Sequence, residues 1–400
     1  MVSDCKKCIT FVCNNDSKEP LLPSMNNYKT DKSNINKDLL PLFNEPAAAP
    51  GPLVIAGPCS AERRDQVLAT ASQLKENGIT HFRAGLWKPR TRPGAFEGVG
   101  ARGLVWLKEV KEQLGMKVIT EVGSAAHVAG VVENGFDGVW IGARTVANPF
   151  AVQEIAEELK RLDSTDLTVL VKNPVNPDLE LWIGAIERLH NAGIKRLGAV
   201  HRGFSSYSPG HYRNPPQWAI PIELHHRMPL LPLLHDPSHC CGKADMVPKL
   251  AKQAMKLCFS GLMIESHIAS TEALSDAAQQ ITPQQVGELV ASLPKKCKTG
   301  SAADSLKDLR DMIDALDDEL LQILSKRMEI CREIGLYKNE NDLPVVQPQR
   351  YAALLENKIA EGETLGLDPE FLYKLFTEIH AASVMLQLNM RAKSPLLLTA

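Results

Sequence analysis

Eight short β-rich runs recur about every thirty residues from Leu53 to His267: LVIAG, THFRAG, KVITEV, GVWIGA, TVLVKN, RLGAVHRG, PLLPLLHD and GLMIESH. Stretches with helical spacing lie between them, such as DQVLATASQLKENG and PFAVQEIAEELKRL. Parallel strands cannot be joined by tight turns, so each strand needs a crossover helix. Several runs are apolar almost throughout, as suits strands covered on both faces. This regular alternation predicts an α/β fold, a (β/α)8 barrel of the TIM type over residues 51–293. A doubly wound open sheet is the alternative on pattern alone.

At 400 residues the chain is too long for one ordinary domain and suits two or three. A formal net charge of -2 gives no electrostatic reason to expect nucleic acid or a membrane surface as partner. No apolar stretch approaches twenty residues, and nine cysteines are scattered without a framework. A soluble, reduced, cytoplasmic protein is expected. Residues 1–50 are rich in Asn, Lys, Asp, Ser and Pro and read as a flexible tail. Within it, Cys5, Cys8 and Cys13 lack a fourth metal ligand at sensible spacing.

In such a barrel the chemistry lies at the C-terminal ends of the strands. Polar residues collected there are Cys59, Arg83, Lys88, Glu121, Arg144, Lys172, His201, Arg202, Asp236, His239 and Glu265, and every run supplies at least one. The cations among them, with Arg90 and Arg92, sit in a net acidic chain and imply anionic substrates such as phosphates and carboxylates. The KPRTRP loop forms a second group of donors, so two phosphoryl groups are conceivable. A different set is Cys59, His239, Glu265 and Asp276, whose mixed S, N and O donors suit Mn, Fe, Co or Zn better than Ca or Mg. Alone, Cys59 reads first as a small buried core filler, with a nucleophile or a metal ligand as the alternatives.

The motifs AGPCSAE, KPRT, IGART, VKNP, HRG, DPSH and GLMIESH followed by ALSD resemble those of 3-deoxy-D-arabino-heptulosonate 7-phosphate (DAHP) synthases of the shorter type Iβ form. That resemblance implies one divalent transition metal held by Cys59, His239, Glu265 and Asp276. It implies phosphoenolpyruvate contacts from Arg83, Lys88, Arg144, Lys172 and Arg202, with Glu121 alongside. Erythrose 4-phosphate would meet Pro89, Arg90, Thr91 and Asp236. KPRT favours this branch over the related synthases of the eight-carbon sugar acid, although Arg92 stands where a serine is familiar.

After SLPKKCKTGSAAD the alternation stops. Residues 294–303 read as a linker and 304–391 as an all-helical domain, with a C-terminal tail over 392–400. Arg327 and Lys338 are eleven residues apart and share a helix face, about 16 Å along the axis. Arg310 lies about 42 Å from Lys338 on an unbroken helix. If all three serve one ligand, Arg310 must come from a second chain. LRDMID, KRMEICREIGLYK, PVVQPQRY and GLDPEF resemble the AroQ-type chorismate mutases, which are intertwined dimers. By that resemblance Arg310 of the second chain and Arg327 bind the carboxylates of chorismate. Lys338 and Gln387 meet the ether oxygen, and Arg350 and Ser383 line the pocket. Gln347 and Tyr351 depart from the acidic residues usual at their positions. The whole chain is expected to be a bifunctional enzyme of aromatic biosynthesis, a homodimer with a tetramer as a further option. The alternative keeps the barrel active and makes the helical domain chiefly a sensor of chorismate or prephenate.

Overall fold

The computed structural model describes residues 35–44, 51–90, 94–206, 211–293 and 303–392. The chain divides into two compact units, Met1–Cys297 and Lys298–Ala400.

The first unit is a closed barrel whose strands follow chain order: β1 Leu53–Gly57, β2 His81–Arg83, β3 Lys117–Val122, β4 Gly138–Ile141, β5 Thr168–Lys172, β6 Leu197–His201, β7 Leu233–His235 and β8 Gly261–Glu265. Every neighbouring pair is parallel, and β8 closes on β1 with Leu53 opposite Gly261. Closure excludes the open sheet.

The crossover helices show why the alternation folds this way. In Pro149–Arg161, proline occupies the first turn, where its missing N–H costs nothing, and the Asn148 side chain accepts from the N–H groups of Phe150 and Ala151. Val152, Ile155, Ala156 and Leu159 then fall on one face and are buried against the sheet. Asn148→Ala would cost about 1 kcal/mol through the lost cap.

Successive strand side chains alternate between the lumen and the helical layer. Ile55, Ile119, Trp140, Leu170, Val200, Leu234 and Met263 fill the lumen, one from each strand but β2. The inward positions of β2 are His81 and Arg83, both buried.

Residues 35–44, counted in the tail by sequence, instead pack on the barrel. Ile35–Asp38 is a short helix, and Leu42 is buried with the lumen side chains. Arg196 donates to the carbonyl of Pro41 at 2.5 Å and to Asn44 Oδ1 at 2.6 Å, while the Thr168 hydroxyl donates to the carbonyl of Leu42. The segment stoppers the end of the barrel opposite the strand C-termini. Its apolar positions are too few and too irregularly spaced to show a period.

Among the described residues the second unit holds three helices, Ala303–Glu340, Pro348–Thr364 and Pro369–Ala392, with the last packed against both others. No helix among the described residues is long and apolar enough to cross a membrane.

Candidate active sites

The barrel site follows from strand period. Two residues beyond the lumen layer of Ile119, Leu170, Val200, Leu234 and Met263 come Glu121, Lys172, Arg202, Asp236 and Glu265. All five carry charge at the strand C-termini, so the apolar core ends where the chemistry begins.

Cys59, His239, Glu265 and Asp276 converge there, their candidate ligand atoms all within 4.8 Å of one another. The Cys59 thiol donates to Asp276 Oδ2 at 3.4 Å, and His239 Nε2 lies 3.6 Å from Glu265 Oε1 and 3.9 Å from Asp276 Oδ2. His239 is aimed by its own helix. Asp236 caps Pro237–Cys241 by accepting the His239 N–H at 3.0 Å, and its other oxygen holds His239 Nδ1 at 2.7 Å. A carboxylate on Nδ1 leaves Nε2 free to meet a metal, the usual outer support of a ligating imidazole. Burial lowers the His239 pKa, which favours that neutral form.

Burial, followed by the charge of Glu265, pushes the Cys59 thiol up to about 12. At neutral pH the free group is therefore a thiol, a poor nucleophile; a cation among these donors would reverse that by favouring thiolate. The donor set fits a divalent transition metal.

Other residues hold the set in place. Gln280 Oε1 accepts the Cys59 N–H at 3.0 Å, and Gln279 Nε2 donates to Glu265 Oε2 at 2.6 Å. Arg213 Nη1 donates both to Gln279 Oε1 at 2.7 Å and to Asp276 Oδ1 at 3.0 Å. Burial opposes ionisation of Asp276, yet His239 and Arg213 keep its carboxyl well below the usual range. Asp276 also adopts φ 50, a left-handed conformation that aspartate tolerates better than most residues. Two glycines are required by close approaches. A Cβ on Gly57 would meet the Arg83 carbonyl oxygen at 2.0 Å, and one on Gly242 would meet Arg213 Cβ at 2.6 Å.

Beside this cluster lies a cavity lined by Lys88, Arg90, Arg144, Lys172, Arg202 and Arg213, with Pro89, Glu121, His239 and Asp276. A second cavity shares Lys88, Pro89, Arg90 and Glu121 and extends to Trp87, Glu97 and His127. Lys88 donates to the Cys59 carbonyl at 2.9 Å; burial opposes its charge, but Cys59, Glu121 and Glu265 raise its pKa. Arg83 and Asp236 line neither cavity and are 0% exposed. Arg83 donates to Glu265 Oε1 at 3.2 Å and lies 4.7 Å from the Trp140 ring centroid, while Asp236 accepts from Lys172 at 2.7 Å. Thr91 and Arg92 lie outside the described residues, as do Cys5, Cys8 and Cys13.

In the helical unit, Arg327 donates to the Ser383 hydroxyl at 2.7 Å, and Ser383 also lies 3.4 Å from the Cys331 sulfur. Lys338 donates to the Val345 carbonyl at 2.7 Å. Gln387 is buried, and its Oε1 has no hydrogen-bond partner among the described residues. Arg310, Gln347 and Arg350 are exposed. Tyr351 stacks on His380 with ring centroids 4.1 Å apart and donates to Thr377 Oγ1 at 3.2 Å. Burial and then Arg327 and Lys338 lower the His380 pKa, which places that ring among the same cations.

Comparison with known proteins agrees with both architectures. The DAHP synthetase I family matches residues 49–299. The chain belongs to that family. Chorismate mutase type II matches residues 309–388, so the DAHP synthase barrel is followed by a chorismate mutase domain. Phospho-2-dehydro-3-deoxyheptonate aldolase of Thermotoga maritima is 33% identical over 245 residues, 60% of this chain and 69% of that protein. The 4-amino-4-deoxychorismate mutase of Streptomyces pristinaespiralis is 34% identical over 90 residues, 22% of this chain and 70% of that protein. A crystal structure of the Thermotoga maritima DAHP synthase superposes with a TM-score of 0.54 at 29% identity, covering 67% of this chain and 71% of that one.

Sequence reasoning missed several members of this DAHP synthase site. Arg213 lies in a loop without period and reaches Asp276 across 63 residues. Gln279 and Gln280 follow Asp276 closely, and that adjacency was the one available signal. In the mutase domain it missed Cys331, Thr377 and His380, which look like ordinary helix-face residues.

Proposed function

We propose that the barrel condenses phosphoenolpyruvate with erythrose 4-phosphate and water to give DAHP and phosphate, and that the helical domain rearranges chorismate to prephenate. What supports this is the Cys59, His239, Glu265 and Asp276 cluster set against a cavity rich in cations. A divalent transition metal bound by those four residues supplies Lewis acidity toward an aldehyde oxygen. Arg144, Lys172 and Arg202 bind the phosphate and carboxylate of phosphoenolpyruvate, with Arg83 beneath them tuning Glu265. Pro89, Arg90 and Thr91, with the adjoining cavity, take the aldose phosphate. Lys88, kept protonated by its acidic neighbours, donates toward the aldehyde oxygen while C3 of phosphoenolpyruvate attacks the aldehyde carbon. Water adds at C2 and phosphate leaves, so no covalent enzyme intermediate is needed. Asp236 acts through Lys172 and His239, positioning both.

In the helical domain, Arg327 binds one carboxylate and Ser383 fixes its guanidinium. Lys338 and the Gln387 Nε2 amide donate to the ether oxygen where negative charge develops, Gln387 being buried with no donor on its Oε1 among the described residues. The rearrangement is pericyclic, so preorganised donors suffice. The second carboxylate contact comes from Arg310 of a second chain, which makes the protein at least a dimer, and Arg350 flanks the entrance. Tyr351 favours a second role. Its hydroxyl is bound to Thr377 and its ring stacks on His380, so position 351 offers a substrate hydroxyl no carboxylate, which weakens turnover toward a sensing function.

One experiment tests both activities. Product formation from phosphoenolpyruvate and erythrose 4-phosphate should be abolished by chelator and restored by metal, while chorismate loss should be indifferent to chelator. Chelator-resistant condensation would remove the metal from the proposal; absence of chorismate turnover would leave the helical domain as a sensor.

A further inference from the structure

We propose that His201, His235 and Cys240 form a second metal site, suited to a borderline or soft ion such as Zn2+ or Cu+, in the layer between the barrel and its helices. Their candidate ligand atoms lie within 4.8 Å of one another, and all three residues are 0% exposed. The site is distinct from the strand-end cluster. His201 and His235 are register partners on β6 and β7, each next to a lumen residue, Val200 and Leu234, so both rings point outward. Cys240 follows His239 on one short helix, but it packs in an apolar group with Cys241 and Leu250.

The hydrogen bonding of the two imidazoles suits a cation site. His201 Nε2 lies 2.7 Å from the Pro216 carbonyl, which can only accept, so the proton sits on Nε2 and the Nδ1 lone pair is free. A ligating histidine is commonly fixed by such a carbonyl. That lone pair faces His235 Nδ1 at 3.1 Å. If His235 carries its proton on Nδ1, its Nε2 becomes a bare acceptor, and that atom is buried with no partner among the described residues. If the proton is on Nε2, two lone pairs face each other and a cation between them is the stabilising arrangement. Trp218 and Phe259 rings lie against His235, with centroids at 5.1 Å and 5.7 Å, and an aromatic wall accepts an N–H better than a lone pair. The spacing suits a metal. Two nitrogens on one tetrahedral Zn2+ stand about 3.3 Å apart given bonds near 2.05 Å, so the pair need open only slightly. Two nitrogens and a sulfur in a dry setting select Zn2+ or Cu+ over Mg2+ or Ca2+.

The test uses the full chain carrying Cys5→Ser, Cys8→Ser and Cys13→Ser, so that these thiols do not compete. Apo protein is titrated with Co2+ alone, reading both stoichiometry by equilibrium dialysis and the thiolate-to-cobalt charge-transfer absorption. The expected result is two equivalents per chain, falling to one in Cys59→Ala with the absorption still present. Adding Cys240→Ser should remove the absorption and the second equivalent, and His235→Phe should act as Cys240→Ser does, which guards against a folding defect in either variant. One equivalent in the parent protein that Cys59→Ala removes, or a count unchanged by Cys240→Ser and His235→Phe, overturns the proposal. Failure of the strand-end site would look different: the parent would hold one equivalent, kept by Cys59→Ala and lost with Cys240→Ser.

Discussion

The two candidate sites are built on opposite plans. The donor cluster of the barrel is assembled within one chain, because closure brings β1, β7 and β8 together and lets residues more than two hundred positions apart, such as Cys59 and Asp276, meet at 3.4 Å. Arg83, Lys172, Asp236 and Glu265 are buried there and tied to one another. The helical domain instead leaves Ile313, Leu321, Ile323 and Ile330 more than half exposed, with Arg310 also exposed on the same long helix. On the proposed reading its cation set is completed by Arg310 of a second chain, whereas the strand-end cluster needs only closure of the barrel.

The largest effect that would break this comparison is in the barrel. Cys59→Ala should lower DAHP synthase activity by about a thousandfold or more through loss of a ligand to a catalytic metal, and leave chorismate turnover untouched. Metal analysis of the same folded variant should show the strand-end equivalent gone; full metal content with no activity would return Cys59 to nucleophilic catalysis. Next comes Lys338→Ala, for which the chorismate kcat should fall by about a hundredfold to a thousandfold, the scale of removing one donor to a developing oxyanion. Equal loss of synthase activity would contradict two separate sites.

A smaller effect is expected at Arg213, which touches the proposed ligands only through Asp276 and Gln279. Arg213→Gln should weaken metal binding by about tenfold, as for removal of an outer support, and Arg213→Lys should recover part of it. An unchanged metal affinity with a raised KM for phosphoenolpyruvate would make Arg213 a substrate contact instead.

Arg213 also marks where sequence reading stopped. The barrel was legible because two periods coexist in the chain: runs of apolar residues for strands covered on both faces, and the spacing of Val152, Ile155, Ala156 and Leu159 for the helices between them. The strand ends were legible for the same reason, since an inward position beyond the core layer must face the opening. A loop arginine has no period, and nothing in HYRN announces a reach to Asp276. The Ile35–Asn44 segment hid differently: its burial depends on Leu42 and Phe43 entering a lumen that exists only after closure, Phe43 meeting His81 at 4.4 Å between ring centroids. The stack of Tyr351 on His380 joins two helices, and helical spacing within either one carries no record of the other.

The last prediction sets the two plans directly against each other. When Arg310→Ala and Lys338→Ala chains are mixed and allowed to exchange, half of the dimers are mixed, and each holds one site with both cations intact and one with neither. Chorismate turnover should therefore recover to about a quarter of the wild-type rate per chain from two nearly inactive proteins, by the symmetry of an isologous dimer. The same mixing of Cys59→Ala with Glu265→Gln chains should recover no condensation, because every proposed ligand of a barrel site lies in one chain. Recovery in the barrel pair would show that its chemistry is shared after all; no recovery in the helical pair, with dimers present, would place Arg310 outside the mutase site and leave Arg327 and Lys338 to bind the dianion within one chain.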